Sequence, residues 1–194
     1  MARPRSADAR RRTIAATVET LLDTGVERLT VEEVAARSGV AKSTIYRHFG
    51  TREHLLVEAL RSCIVEQSTP DHGSLVEDLT ELFSRDDDSE GTERLNEIIP
   101  LLVDAARRDA AMRDVLDALL VERQRPMRTV LKLAQARGEI DPDLDLDVAV
   151  AMLIGPFTYR RVVQGVEISD DFMAVAVPGG IAALRATVPG TSAP

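Results

Sequence analysis

Apolar residues recur along this chain at intervals of three and four, and no segment alternates apolar with polar as a strand would. Over 8–23, Ile14, Val18, Leu21 and Leu22 form one stripe at helical spacing, and Gly25 follows as a C-terminal cap. Further helices are predicted over 31–37, 42–49 and 52–67. Thr30 and Glu33 have capping-box spacing ahead of the first of these, and Thr51 is a good N-cap for the last. Gly39 supplies the turn between 31–37 and 42–49, and Gly50 ends the latter. Thr69-Pro-Asp-His-Gly73 then breaks the pattern. Beyond it, helices are predicted over 74–85, 92–107, 110–137, 146–164 and 170–187, separated by an acidic loop at 85–91, a turn near Asp109 and the segment 138–145. The chain reads as all-α with about nine helices.

The segment 30–49 carries the candidate chemistry. Two short helices joined by a glycine turn have the form of a helix-turn-helix. Val31, Val34 and Ala35 give the first helix its inner face; Val40, Ile45 and Phe49 give the second its own. Ile45 and Phe49 are four apart and stack on one side. Lys42, Ser43, Thr44, Tyr46, Arg47 and His48 are left around the remaining surface, and all of them can hydrogen-bond. A short helix held by packing, with a polar outer face, fits the major groove of duplex DNA. The same pattern also occurs in ordinary helical proteins, where it is only packing.

Charge supports the DNA reading. The 194 residues carry a net −8, which is unfavourable for a DNA binder taken as a whole. Residues 1–65 hold 11 Lys+Arg against 8 Asp+Glu, a net +3, while 66–194 hold 13 against 24, a net −11. The base is concentrated at Arg3, Arg5, Arg10, Arg11 and Arg12, and such asymmetry hints at nucleic-acid contact.

Other classes find little support. Aromatics make up 3% and tryptophan is absent, too few rings for a carbohydrate or single-strand stacking surface. The lone Cys63 cannot form an internal disulfide; it reads as a small buried hydrophobe, with a redox sensor as the minor alternative. No stretch approaches the ~20 apolar residues of a membrane helix. The basic start lacks the apolar segment of a secretory signal, so a cytoplasmic protein without membrane contact is expected. His48, His54 and His72 lack partners at zinc-ligand spacing, and no phosphate-binding or nucleophile-elbow motif occurs. No enzyme, metal or cofactor is expected. An enzyme with an unrecognised site and a helical protein-interaction adaptor remain the alternatives.

The string Thr-Val-Glu-Glu-Val-Ala-Ala-Arg-Ser-Gly-Val-Ala-Lys-Ser-Thr-Ile-Tyr-Arg-His-Phe-Gly-Thr-Arg-Glu-His-Leu-Leu, 30–56, closely resembles the signature of the TetR family of bacterial regulators. The likeness covers about 8–65; a weaker one, to a TetR-type C-terminal domain, lies at 137–145 and 155–160. With the boundary taken at the 69–73 break, the resemblance implies an N-terminal three-helix DNA-binding domain with its arm over 1–68 and a helical-bundle effector-binding and dimerisation domain over 69–188; the small, polar residues 189–194 read as a disordered tail. It implies that Lys42, Ser43, Thr44 and Tyr46 touch bases or nearby phosphates; Arg47, on the same polar face, is expected to contact DNA beside them. His48 and Arg52 match phosphate-contacting positions, the latter usually lysine in the family. Thr30 matches the start of the second helix, whose amides can face a phosphate. Arg5 and Arg10 would belong to a flexible arm over Arg3–Arg12, along the backbone or in the minor groove. Ala41 departs from the family's usual serine cap, at a cost of ~1 kcal/mol.

The resemblance further implies a homodimer on a palindromic duplex operator, repression rather than activation, and release by a small-molecule effector. The uncharged runs Val148–Phe157 and Phe172–Leu184 suit a helical seam, although a fully interior helix would look the same. Phe83, Leu102, Met112, Leu116, Met127, Met152 and Phe157 are the candidate linings of a pocket for a small apolar effector; plain core packing is the commoner fate of such side chains. Four proline sites cut across this plan. Pro178-Gly179-Gly180 predicts a kink or break in the last helix, Pro156 a kink, and Pro100 and Pro126 interruptions.

Overall fold

The computed structural model describes the backbone of residues 3–64, 68–85 and 90–187, and the side chains of all of these but 3–5 and 85. The expected tail at 189–194, the middle of the acidic loop at 86–89 and the expected last turn of the fourth helix at 65–67 lie outside the described residues. Among those described there are nine α-helices and no strand. They are α1 (Arg3–Thr24), α2 (Val31–Ser38), α3 (Lys42–Phe49), α4 (Arg52–Arg61), α5 (Leu75–Arg85), α6 (Glu90–Ala106), α7 (Ala110–Ala136), α8 (Leu146–Thr158) and α9 (Asp170–Arg185). A π-helical turn, Tyr159–Val163, follows α8 directly.

The helices gather into two compact units that are not two consecutive stretches of chain. One takes Met1–Val65 and Asp88–Arg123, the other Glu66–Asp87 and Gln124–Pro194. A new unit does begin near the break at 69–73, but α6 and the first half of α7 belong with α1–α4.

In the first unit, Leu21, Leu29, Val34, Ile45, Leu55 and Leu56 meet Ile98, Leu102, Met112 and Leu116 in one apolar core. The buried face of α1 differs from the expected stripe. Ile14 and Leu22 are only half-buried, whereas Thr13, Thr17 and Thr20 are buried beside Val18 and Leu21. Each threonine hydroxyl donates to the carbonyl four residues back: Thr13 to Ala9 at 2.8 Å, Thr17 to Thr13 at 2.8 Å, Thr20 to Ala16 at 2.7 Å. The helix itself satisfies these hydroxyls, so their burial leaves no polar group orphaned. Cys63 is buried in this unit and burial pushes its thiol up, as suits a core residue and not a reactive thiolate.

In the second unit, Leu75, Leu79, Val130, Leu131, Ala134, Ile140, Val150, Leu153 and Ile181 form the core. A charged cluster closes one end of it. Asp78 is fully buried, accepting from the His72 amide at 2.6 Å and from Arg137 Nη2 at 3.1 Å. Glu139 accepts from the Leu75 amide at 3.0 and 3.1 Å, so a side chain 64 residues away caps α5. Arg137 and Arg185 also donate to Glu139, at 2.7 and 3.3 Å. This accounts for Arg137, Glu139 and Ile140 of the weaker C-terminal likeness.

The interruptions expected at Pro100 and Pro126, and the break offered as one alternative at Pro178, are corrected. α6 runs through Pro100, α7 through Pro126 and α9 through Pro178 without a break. Each proline is bracketed by buried side chains: Ile98 and Leu102, Leu119 and Val130, Val177 and Ile181. Burying such a side chain stabilises by about 1.5–3 kcal/mol, and two of them offset the ~3 kcal/mol of an internal proline. After Pro156 the path does change, from α to π at Tyr159. Gly180 has a packing reason: a Cβ there would lie 3.0 Å from Leu153 Cδ2, so α9 approaches α8 closely at that point.

Candidate nucleic-acid interface

The interface is built on α2 and α3. Thr30 has extended backbone and its Oγ1 accepts from the Glu33 amide at 3.1 Å, which fixes the start of α2. Gly39 closes α2 at φ 64°, a left-handed conformation that favours glycine. α3 starts without a side-chain cap, because Ala41 offers only its carbonyl, to the Thr44 and Ile45 amides at 2.8 and 3.1 Å. Tertiary packing therefore orders this eight-residue helix. Ile45 and Phe49 are buried at 1% and 6% exposure and anchor it.

With that face inward, Lys42, Ser43, Tyr46 and Arg47 stand exposed on the other, and Thr44 and His48 flank them half-buried. Tyr46 is 49% exposed. The side chains of Ser43, Thr44, Tyr46 and Arg47 make no hydrogen bond or ion pair among the described residues, so their polar groups remain available. His48 Nε2 lies 3.3 Å from Ser6 Oγ. Lys42 is engaged: its Nζ donates to Glu32 Oε1, in the first turn of α2, at 2.9 Å. The hydrogen bond and the charge of Glu32 hold the ammonium pKa above its usual value; Lys42 in turn holds the Glu32 carboxyl below its own.

The basic residues outside α3 have different placements from those expected. The segment Arg3–Arg12 is the first half of α1 and not a flexible arm. The Arg5 side chain lies outside the described residues. Arg10 pairs with Glu58 of α4, and its guanidinium carbon sits 5.7 Å from the centre of the Phe49 ring, so it clamps α1, α3 and α4 together. Arg12 Nη1 donates to the Ser38 carbonyl at 3.2 Å and caps the end of α2. Arg52 Nε and Nη2 donate to the carbonyls of Leu29 and Val26 at 2.8 and 2.5 Å, bracing the loop ahead of α2. Its remaining nitrogen, Nη1, lies 4.0 Å from Glu53 Oε1. Sequence reasoning missed Arg28, exposed and without a side-chain partner among the described residues, in the turn just before Thr30. Its position beside an N-cap was the available signal.

The seven candidate pocket residues divide between the two units. Leu102, Met112 and Leu116 are buried in the first unit's core. Phe83, Met127, Met152 and Phe157 pack, partly buried, on the core of the second. Phe83 stacks on Phe157 with ring centres 4.9 Å apart, and Phe157 meets Phe172 edge-on at 5.5 Å. A groove of about 530 Å³ lies elsewhere in that unit, lined by Gln124, Arg128, Val150, Ile154, Gly155 and Tyr159 among others. None of the seven lines it. Among the described residues no group of His, Cys, Asp and Glu could hold a metal ion, and no helix is long and apolar enough to cross a membrane.

Comparison with known proteins agrees with this arrangement. Residues 14–59 match the family model of bacterial regulatory proteins, tetR family, and 69–178 match that of the tetracyclin repressor-like C-terminal domain. The chain is 26% identical to the uncharacterised HTH-type transcriptional regulator YdeS of Bacillus subtilis, over 95% of this chain and 94% of that one. It is 27% identical to the HTH-type transcriptional repressor KstR2 of Mycolicibacterium smegmatis, over 65% of this chain and 64% of the relative. In fold it is similar to a TetR-family regulator crystallised from Rhodococcus sp., with a TM-score of 0.70, 24% identity, and coverage of 94% of this chain and 99% of the other.

Proposed function

This chain belongs to the TetR family of bacterial regulatory proteins and is a DNA-binding transcriptional regulator, and from that premise we propose that it represses transcription in the cytoplasm by closing a palindromic duplex operator as a homodimer. One observation carries the reading: α3 buries Ile45 and Phe49 and turns Lys42, Ser43, Tyr46 and Arg47 outward as a donor-rich face. Such a face can read base edges and neighbouring phosphates in a major groove. Repression follows the family's habit and the name of the repressor relative.

One short helix reads too few base pairs, so a two-fold pair of readers is needed. The outer face of α9 supports a dimer. Ala174, Val175, Pro178, Gly179, Ala182, Ala183 and Ala186 are all exposed and all uncharged, with Val175 73% exposed. On α8, Val148 is exposed in the same way. Patches of this kind mark interfaces, since water is a poor partner for them. The groove beside Gly155 and Tyr159 is the place we assign to a small effector, because it is open where the seven apolar candidates are packed.

Footprinting on the DNA upstream of the protein's own gene tests the core of this reading. A protected palindrome is expected, lost in Tyr46→Ala and Lys42→Ala variants whose circular dichroism is unchanged. Unaltered protection by both variants would overturn the assignment of α3 as the reader.

A further inference from the structure

We propose that Glu32 is a specificity-determining residue of this interface: it holds Lys42 in an internal ion pair that a correctly seated operator displaces and a random duplex does not. The inference rests on the DNA-binding reading of α3. Lys42 is the first residue of α3 and Glu32 lies in the first turn of α2, so the pair spans the helix-turn-helix itself. Their charged atoms are 2.9 Å apart, and the side chains are 53% and 62% exposed. Both heads therefore stand on the surface that a phosphate backbone would meet.

The other basic residues of the first unit show why this pair matters. Arg10, Arg37 and Arg52 are spent on Glu58, Asp23 and the loop carbonyls, inside the domain. Arg47 and Arg28 are exposed and have no ion pair among the described residues. Lys42 alone among the outward residues of α3 has its charge cancelled, and by a carboxylate of the helix alongside. Non-specific binding to DNA comes almost wholly from neutralising phosphates, with counterion release. A lysine already paired adds little to it. An exposed pair is weak and screened by salt, so it yields when a phosphate is delivered to Lys42 in fixed geometry. That delivery happens when Tyr46, Ser43 and Arg47 have found their partners in the groove. Glu32 then tempers sliding complexes and leaves the seated one nearly unaffected, which widens the gap between operator and bulk DNA.

The test is a double-mutant cycle on DNA affinity. Wild type, Glu32→Gln, Lys42→Ala and the double variant are titrated with an operator duplex, selected from a random library by the wild type, and with a scrambled duplex across a salt series. Glu32→Gln is expected to tighten scrambled-duplex binding by roughly three- to ten-fold and operator binding by less, with the salt slope on scrambled DNA steeper by about one unit. In the Lys42→Ala background the same substitution should change scrambled binding by less than about two-fold. Equal tightening on both duplexes, an effect that persists without Lys42, no effect, or weaker binding in Glu32→Gln would each overturn the proposal. Weaker binding would make Glu32 a brace for Lys42. A wild type that selects no sequence overturns the reader reading itself, and so is distinguishable from failure of the Glu32 idea. Melting curves of the four proteins separate folding loss from an interface effect.

Discussion

Arg52 Nε donates to the carbonyl oxygen of Leu29 at 2.8 Å, at the base of the turn that leads into α2. A second donor of the same guanidinium reaches Val26 at 2.5 Å. The planar fork meets two carbonyls 3 residues apart, and a lysine at this position has one point-like head. Arg52→Lys should therefore leave one partly buried carbonyl unpaired and lower stability by about 1–2 kcal/mol in urea titration. Because the braced loop carries Thr30 and the start of α2, operator affinity should fall as well. A variant with full stability and affinity would show that the fork is dispensable.

Two helical glycines, Gly91 and Gly180, should respond differently to alanine. A Cβ on Gly91, near the start of α6, would overlap the backbone oxygen of Cys63. Backbone cannot yield as a side chain does, so Gly91→Ala should cost about 2–4 kcal/mol, seen as a lower melting temperature. On Gly180 the neighbour is the Leu153 Cδ2 methyl at 3.0 Å, the end of a flexible side chain. The gain of about 0.5–1 kcal/mol from replacing a helical glycine should nearly cancel that contact, so Gly180→Ala should melt within a few degrees of wild type.

What could be read in the chain before any coordinates follows from the range of the forces involved. The face of α3 was legible because Ile45 and Phe49 are four apart and local spacing decides which side is buried. The Thr30 cap was legible for the same reason. The buried Thr13, Thr17 and Thr20 were not, since their polarity is cancelled by carbonyls within their own helix. Arg12 and Arg52 looked like DNA ligands because only tertiary approach, across 26 and 23 residues, brings carbonyls to them. Leu102, Met112 and Leu116 were correctly apolar, but a hydrophobic pattern does not say whether a side chain faces a pocket or a core. Pro178 looked like a break because the burial of Val177 and Ile181 on either side is a property of the packed unit.

His72 and Glu139 predict opposite pH responses in the second unit. Glu81, which pairs with the His72 ring, and the nearby Asp78 and Glu77 hold the imidazole above its ordinary 6.5. A raised value means stability that is fully present below about 6.5 and is lost as pH climbs through the higher folded value. Burial pushes the Glu139 carboxyl up, but bonds from the Leu75 amide, Arg137 and Arg185 outweigh it and hold the group below 4.5. Its contribution is present above 4.5 and fades as pH falls through the lower folded value. The melting-temperature gap between wild type and His72→Gln should shrink from pH about 6.5 upward, and that between wild type and Glu139→Gln from pH about 4.5 downward. Gaps that do not vary with pH would remove both groups from the stability of this cluster.

Gly179 offers a way to separate the dimer from the fold. It lies on the exposed uncharged face of α9, and a Cβ there meets nothing within 4 Å of the same chain. Arginine forms helix better than glycine by roughly 0.8–1 kcal/mol, so Gly179→Arg should leave the subunit folded and slightly more helical. If the face of α9 pairs with its mate across a two-fold axis, the substitution places two guanidinium groups in an apolar seam without partners. Sedimentation should then show a monomer where wild type is a dimer, and operator affinity should drop at least ten-fold, because each half-site is held by one reader alone. A Gly179→Arg protein that sediments as a dimer and binds operator as wild type does would place the seam away from α9. The palindrome would then have to be read by a pair of subunits joined some other way.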